Sequence, residues 1–170
     1  MADGTSELRL ITFRVGSETF VLDIMAVRQI VPYDGTTSIP TAPDFVEGII
    51  VLRNEVIPVI DLRTRLYPRM EKAPQPLILI THTTAGMIGF KVDEVRRIVT
   101  VSTDAFLPPP AIVRGIRGEL LIGVVPYAEE VYLLIDVENV LTVDEKDELR
   151  DAELREEAAQ NAGEGTAATP

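Results

Sequence analysis

Short apolar runs separated by turn residues recur along the chain and predict strands. Leu8–Val15 and Thr19–Asp23 flank Gly16-Ser17-Glu18, which is the pattern of a hairpin. Ile24–Val31 fits either a short helix or a strand, and its periodicity leaves both open. Later strand-like runs occupy Leu77–Thr81, Met87–Val92, Val95–Val101, Glu119–Val125 and Val131–Val137.

The central part of the chain predicts the best-defined hairpin. Phe45–Leu52 and Val56–Leu62 are rich in Val and Ile, which favour strands. Between them lies Arg53-Asn54-Glu55, in which Asn54 is best able to adopt a left-handed backbone. We therefore expect a tight hairpin with one cationic side chain at its tip.

The spacing of these strands indicates the fold class. The segments between them are too short for the crossover helices that a parallel sheet requires. Short strands with Gly and Pro turns favour barrels or a sandwich. Apolar pairs that end in an acid recur at Asp61, Asp93 and Asp136, which indicates two similar halves.

The C-terminal region predicts a helix and a tail. Thr142-Val143-Asp144-Glu145 has the form of a capping box, and a helix over 143–159 follows from it. Leu149 and Leu154 are its few apolar anchors, so we expect loose docking and a largely exposed helix. Residues 160–170 are small and polar, and we expect them to be disordered.

Composition excludes several classes of function. The chain has 170 residues, a formal net charge of −11 and no cysteine. A disulfide framework, a thiol nucleophile and a Cys-ligated metal are therefore impossible. The acidic charge disfavours nucleic acid and anionic membranes as partners. No secretory signal or membrane-length apolar run is present, so we expect a soluble protein.

The residues that could support catalysis are few. His82 is the single histidine and has no acid near it in sequence, so neither a metal site nor a cofactor is expected. Asp61, Asp93 and Asp136 are the best carboxylate candidates for an enzyme, and a small β-barrel enzyme that uses Asp61 or Asp93 stays a remote alternative. Each follows an apolar strand, where an acid more simply binds backbone amides. We therefore expect a protein that is not an enzyme.

Two groups of cationic residues need separate interpretations. Arg63, Arg65 and Arg69 form the one basic cluster, and we expect them to solvate a surface connection. For Arg53 the residues alone leave two readings open. It is either a solvated turn cation or a recognition residue, since arginine is enriched at interface hot spots.

The central hairpin resembles the signature of the CheW coupling proteins of bacterial chemotaxis. The matching residues are Pro43, Phe45, Gly48, Leu52, Arg53, Pro58, Val59, Ile60, Asp61, Leu62 and Arg63. The family usually reads Asn-Leu-Arg-Gly at the turn, where this chain has Val51-Leu52-Arg53-Asn54. It also has Gln29 where many relatives have Glu. The likeness covers roughly residues 8 to 142.

The resemblance implies a fold and a role. The expected fold is mainly β, with two small five-stranded β-barrel subdomains on a shared core and a short C-terminal helix. The subdomains would span about 8–73 and 74–142, with ends able to cross over. The role would be a non-catalytic adaptor between the cytoplasmic tip of chemoreceptors and the regulatory domain of a CheA-type histidine kinase. The protein would be cytoplasmic and recruited to receptor arrays at the inner membrane.

The resemblance also implies binding residues. Those for the receptor are Arg53, Gly48, Val27, Leu77, Val95 and Ile98. Without the resemblance, the aliphatic residues among them would be predicted to lie in the core. Those for the kinase are Ile39 and Val46. The alternative function is a CheW-like protein of a divergent motility or signalling pathway that keeps only one of the two contacts.

Overall fold

A computed structural model describes residues 6–40, 42–43, 45–66, 75–109, 121–140, 144–151, 154–155 and 158. The strands are β1 Glu7–Val15, β2 Glu18–Asp23, β3 Val27–Pro32, β4 Val46–Leu52, β5 Glu55–Asp61, β6 Leu77–Thr83, β7 Gly86–Val92, β8 Glu94–Ser102, β9 Leu121–Tyr127 and β10 Glu130–Ile135. Helix α1 is Leu62–Leu66, and three-residue 3-10 helices lie at Ile24–Ala26, Thr103–Ala105 and Val137–Asn139. The described residues from 144 onward are helical and are called α2.

Local signals placed most of these elements correctly. The β1–β2 and β4–β5 hairpins lie where the apolar runs and turn residues predict them. The ambiguous segment after β2 divides into a 3-10 helix and β3. It does so because the carboxylate of Asp23 accepts a hydrogen bond from the Met25 amide at 2.9 Å and caps the first turn. Helix α1 was not predicted.

The ten strands form two five-stranded sheets. Sheet A has the order β8-β1-β2-β10-β9, and sheet B has the order β3-β6-β7-β5-β4. Each sheet contains one parallel pair, β2 with β10 in sheet A and β5 with β7 in sheet B. The remaining neighbours are antiparallel. The mainly β fold with a short C-terminal helix is therefore confirmed.

The two sheets share one topology. Each strand of one sheet occupies the place of the strand five positions away in sequence, so that β1 corresponds to β6 and β5 to β10. The sheets do not follow the sequence halves 8–73 and 74–142, because β1 and β2 pair with β8–β10 while β6 and β7 join β3–β5. The nominal boundary near residue 73 falls outside the described residues.

The expectation of closed barrels is wrong. A barrel requires backbone pairing between the two edge strands of a sheet. Among the described residues, each sheet has only one isolated bridge at this seam, Thr37 with Ile49 in sheet B and Leu107 with Val124 in sheet A. The sheets remain open, because each bridge joins one edge strand to a connecting segment and not to the opposite edge strand.

Apolar side chains form three clusters, and the largest lies between the sheets. This shared core contains Phe13 and Leu22 of sheet A with Leu79 and Phe90 of sheet B. Smaller clusters lie within the curve of each sheet, with Tyr132 fully buried in that of sheet A. Strand β7 is buried on both faces over most of its length, which explains why its sequence lacks apolar–polar alternation.

Helix α2 docks more firmly than its thin apolar stripe predicts. Leu149 is 2% exposed and belongs to the shared core, whereas Leu154 is 58% exposed. Glu145 accepts two hydrogen bonds from Arg65, at 2.8 and 2.6 Å. The expectation of loose docking is therefore wrong, because one leucine and one bidentate ion pair attach the first turns. The predicted tail lies outside the described residues.

The structure contains no helix, within the residues described, that is long and apolar enough to cross a membrane.

Replacement of Leu149 by Ala should destabilise the protein. A buried leucine truncated to alanine costs about 2–5 kcal/mol, because burial is lost and a cavity remains. Leu154→Ala is the matched control, since that side chain is exposed and should change the free energy of unfolding by less than about 0.5 kcal/mol. Urea unfolding followed by circular dichroism measures both. Equal effects of the two changes would show that α2 does not dock through Leu149.

Candidate functional site

The tip of the β4–β5 hairpin presents one arginine to solvent. Arg53 and Asn54 have φ values of 51° and 65°, so both central residues are left-handed, as in a two-residue type I′ turn. Asn54 was expected to adopt this conformation, and Arg53 adopts it as well. The Arg53 side chain is exposed and has no ion pair within the part of the chain described.

Gly48 is buried at the base of the same hairpin. A Cβ there would lie 2.5 Å from Thr36 Oγ1 and 2.7 Å from the Thr37 carbonyl oxygen, which is too close for any side chain. Thr37 and Ile49 exchange backbone hydrogen bonds of 2.9 and 2.8 Å across this point. Gly48 thus allows the segment after β3 to lie directly on β4, and it has no side chain with which to contact a partner.

The aliphatic residues predicted to bind the receptor do not form one compact patch. Val27, Leu77 and Val95 are half-buried against the shared core, and Ile98 on edge strand β8 is 45% exposed. Val27 pairs with Thr81, four residues from Leu77 on β6, which separates them by about 13 Å along the strand. Only Ile98 offers a largely exposed apolar surface.

The two residues predicted to bind the kinase differ in exposure. Ile39 is half-buried in the segment between β3 and β4. Val46 is 8% exposed and belongs to the shared core. Val46 therefore supports the base of the hairpin, and Ile39 is the residue of the pair with more accessible surface.

A buried lysine joins three strands of sheet B and the segment after β3 at the base of the hairpin. Lys91 is 6% exposed, and its Nζ donates a hydrogen bond of 2.8 Å to Glu47 Oε1. The same Nζ lies 3.7 Å from Asp61 Oδ2 and 4.1 Å from the centroid of the Tyr33 ring. The Tyr33 hydroxyl also donates to Glu47 Oε1, at 3.1 Å. This group is called the Lys91 network.

The Lys91 network keeps its lysine charged. Burial alone lowers the pKa of Lys91, but the hydrogen bond to Glu47 and the negative charges of Glu47 and Asp61 outweigh it, so the pKa is raised above 10.5. Glu47 Oε2 is buried without a hydrogen-bond partner among the described residues. Glu47 immediately precedes Gly48, at a register shift in β4. The network therefore fixes the bulge from which the Arg53 hairpin projects.

A second ion pair joins the two sheets. Arg63 Nε donates to Asp93 Oδ1 at 3.0 Å, and the other oxygen of Asp93 accepts the Gly16 amide of the β1–β2 turn at 2.7 Å. Arg65 pairs with Glu145 of α2. The expectation that these arginines solvate a surface connection is wrong for Arg63 and Arg65, because each has a carboxylate partner. Arg69 lies outside the described residues.

The carboxylates considered for catalysis bind backbone amides. Asp61 Oδ1 accepts the Arg63 amide at 2.9 Å and caps α1. Asp136 Oδ1 accepts the Glu138 amide at the same distance and caps the 3-10 helix there. Asp93 accepts the Gly16 amide, as described above. The structural interpretation of all three acids is confirmed. The described residues include no group of three or more His, Asp or Glu placed to hold a metal ion.

Sequence reasoning missed the Lys91 network. Glu47 and Lys91 lie on different strands and Tyr33 lies in the segment after β3, so no spacing brings them together. A signal was nevertheless present, since Lys91 is the one charged residue of β7, a strand that is otherwise apolar. A lone lysine in a central strand indicates a buried ion pair, because an unpaired buried charge is very costly.

Comparison with known proteins identifies one family. Residues 9–145 match the CheW-like domain. The chain is 32% identical over 154 residues to the chemotaxis protein CheW of Treponema pallidum, covering 88% of this chain and 91% of that protein. It is also 32% identical to the CheW protein of Rhizobium meliloti, covering 81% and 90%. The crystal structure of the scaffolding protein TtCheW from Thermoanaerobacter tengcongensis superimposes with a TM-score of 0.74 at 28% identity, covering 82% and 96%.

Replacement of Lys91 by Met should destabilise the protein by about 3 kcal/mol, because it leaves the carboxylates of Glu47 and Asp61 without their cation. The double variant Lys91→Met/Glu47→Gln should recover part of the loss.

The contribution of the charged lysine to stability is present at neutral pH and is lost as pH rises through its raised pKa, above 10.5. Urea unfolding at pH 8 and pH 11.5 should show a smaller difference between wild type and Lys91→Met at the higher pH. A pH-independent difference would contradict this role of the charge.

Proposed function

The chain belongs to the CheW-like domain family, and from this membership we propose that it is a chemotaxis adaptor that couples chemoreceptors to a CheA-type histidine kinase. The observation that carries the proposal is the extent of the match, which spans residues 9–145 and so includes strands of both sheets. The resemblance first seen in the central hairpin is thereby confirmed over most of the chain.

The receptor contact is proposed to centre on Arg53. Its side chain is exposed at the tip of a two-residue turn, and it is not needed for an internal ion pair within the described residues. The base of the hairpin is held by the Lys91 network and by the backbone bridge between Thr37 and Ile49. A recognition side chain on a rigid base loses little conformational freedom on binding.

The remaining receptor residues have two roles in this proposal. Ile98 contributes exposed apolar surface, and the half-buried Val27, Leu77 and Val95 contribute the parts of their side chains that remain accessible. Gly48 acts indirectly, because it lets the segment at Thr36 and Thr37 pack on the hairpin. An amphipathic helical tip of a chemoreceptor suits such a surface, since its apolar face can contact the aliphatic side chains and its polar face can contact Arg53.

The kinase contact is proposed to lie on the segment between β3 and β4. Ile39 supplies accessible surface there, and Val46 supports it from the shared core. The partner would be the regulatory domain of the kinase. In this proposal the kinase and the receptor bind at the same time, as an adaptor requires.

The proposed mechanism is scaffolding without catalysis. Asp61 and Asp93, the carboxylates best suited to an enzyme, are occupied by backbone amides and by Lys91 and Arg63. Signal would pass through the relative placement of receptor and kinase, and no cofactor is required. The proposed location is the cytoplasm, with recruitment to receptor arrays at the inner membrane.

One observation favours a second function. The turn carries Val51, which is 62% exposed, and Asn54, where the family usually has Asn and Gly. A changed hairpin tip suits a protein of a divergent motility or signalling pathway that keeps only one of the two contacts. The titrations described next distinguish the two functions, because the second requires one partner not to bind.

Replacement of Arg53 by Ala should weaken binding of a receptor fragment by about 1–2 kcal/mol, as for a moderate hot spot. Alanine keeps the Cβ, so the left-handed backbone at this position is strained to the same degree in both proteins. Binding of the kinase regulatory domain should change much less. Calorimetric titration of each partner measures the two affinities.

Arg150→Ala is the matched control, since Arg150 is an exposed arginine on α2 and is not part of the β4–β5 hairpin. Equal losses for both partners, or a fall in melting temperature with Arg53→Ala but not with the control, would show that Arg53 supports the hairpin itself. The recognition role would then be wrong.

A further inference from the structure

An apolar pocket of about 300 Å³ lies at one end of sheet A, where it meets β6 of sheet B. Leu10, Leu22 and Leu134 form part of its wall, and Ile122 lies at its exposed side. Ligand pockets range from about 300 to 1,000 Å³, so this pocket is of a size for one long side chain.

The charged residues that line the pocket include three acids. These are Asp23, Asp136 and Glu138, and no lysine or arginine is among its described lining residues. Asp23 and Asp136 each accept a backbone amide through Oδ1, and Asp136 Oδ2 also accepts the side-chain amide of Asn139 at 2.9 Å. Glu138 accepts the amide and hydroxyl of Thr84 and lies 3.6 Å from Lys146. The pocket therefore combines an apolar wall with a negative rim.

The shared topology of the two sheets gives a reference for this pocket. In sheet B the parallel register of β5 and β7 places Asp61 opposite Lys91, whose Nζ is 3.7 Å from Asp61 Oδ2. In sheet A, β10 and β2 pair in parallel with Leu134 opposite Val21. The same register continued by two residues places Asp136 beside Asp23. Sheet A thus has a second carboxylate where sheet B has the lysine.

The two sheets also differ at the position that Glu47 occupies in sheet B. Glu47 immediately precedes Gly48 on β4, and Ile122 immediately precedes Gly123 on the corresponding strand β9. Sheet B therefore holds Lys91 between two carboxylates from its own strands. Sheet A has the carboxylates of Asp23 and Asp136 and an apolar residue, without an internal lysine at the matching place.

We propose that this pocket docks a lysine side chain presented by a partner protein. The alkyl stem would lie on the leucine wall, and the ammonium would lie at Asp23 and Asp136, as the Lys91 ammonium lies at Asp61 and Glu47. Charge complementarity identifies the occupant as a cation, and the apolar wall requires a cation with a long aliphatic stem. The described residues include no metal-binding cluster, so the donor set does not suit a metal ion.

Exposed apolar side chains near the pocket favour a protein over a free amine. Ile122 is 49% exposed, and Met25, next to the lining residue Ala26, is 84% exposed. Large exposed apolar residues beside a pocket are typical of protein docking surfaces. A peptide segment can contact them with the residues that flank its lysine. This surface is separate from the Arg53 hairpin, so the inference does not depend on the proposed function.

The test is a titration of the ¹⁵N-labelled full chain followed by NMR. The probe is the peptide acetyl-Leu-Lys-Leu-amide, with the same peptide acetylated on the lysine Nζ as the uncharged control. We expect saturable shifts at the pocket amides, among them Asp23, Ile122 and Glu138. Acetylation should weaken binding about fivefold or more, the effect of one partly exposed ion pair. Absence of saturable shifts at these amides, or equal affinity of the acetylated peptide, would overturn the proposal.

A third probe separates the two sources of an alkyl ammonium. The free amine 1,5-diaminopentane should bind at least about fivefold more weakly than the peptide, because it lacks flanking apolar groups. Equal or tighter binding of the amine would overturn docking of a protein in favour of a small-molecule site.

A variant tests the charge of Asp23 without disrupting the fold. Asp23→Asn keeps the oxygen that accepts the Met25 amide and removes the charge, so it should weaken peptide binding about fivefold. Asp34→Asn is the matched control, because Asp34 is exposed and does not line the pocket. Equal losses of peptide affinity in the two variants would show that only the net charge of the protein matters, and this result would overturn the proposal.

Ile122→Lys provides a second variant, since it places an ammonium at the pocket from the chain itself. The peptide should then bind at least about tenfold more weakly, because the introduced ammonium occupies the site. The melting temperature should stay at or above that of the wild type, because the introduced lysine pairs with the aspartates. Unchanged peptide affinity would overturn the proposal.

Discussion

Burial of one apolar core between two sheets is the constraint on which this structure depends. Sheet A and sheet B each supply phenylalanine and leucine side chains to it, and Leu149 of α2 completes it. Because β1 and β2 pair with strands from the end of the chain, neither sheet is complete until distant segments meet. The two sheets and the helix are therefore expected to fold as one cooperative unit.

The charged residues near this core have structural roles that reach the surface. Lys91 is nearly inaccessible, and its partners come from β4, β5 and the segment after β3. Arg63 and Asp93 connect the same region to the β1–β2 turn of sheet A. The exposed Arg53 thus projects from a base held by ion pairs and backbone bridges. Such a base suits recognition, because loops on a rigid scaffold can be positioned without ordering on binding.

Two sheets with one topology have acquired different electrostatics. In sheet B, the carboxylate of Asp61, which caps α1, lies beside the ammonium of Lys91, so the chain's own lysine occupies the site. In sheet A the corresponding carboxylate at Asp136 is joined by Asp23, and a pocket remains. A protein that binds more than one partner gains from this asymmetry, since equivalent positions on the two sheets can be used for internal support on one side and for recognition on the other.

The sequence by itself determined most of the local elements of this protein. The β4–β5 turn and the capping aspartates Asp61 and Asp136 depend on contacts within a few residues, which a sequence pattern records directly. The motif around Gly48 and Arg53 also identified the family. Only the tertiary structure decided which strands share a sheet, where Lys91 finds its carboxylates and how Leu149 docks. These features pair residues far apart in the chain, and their energies depend on burial and approach distances that no local pattern contains.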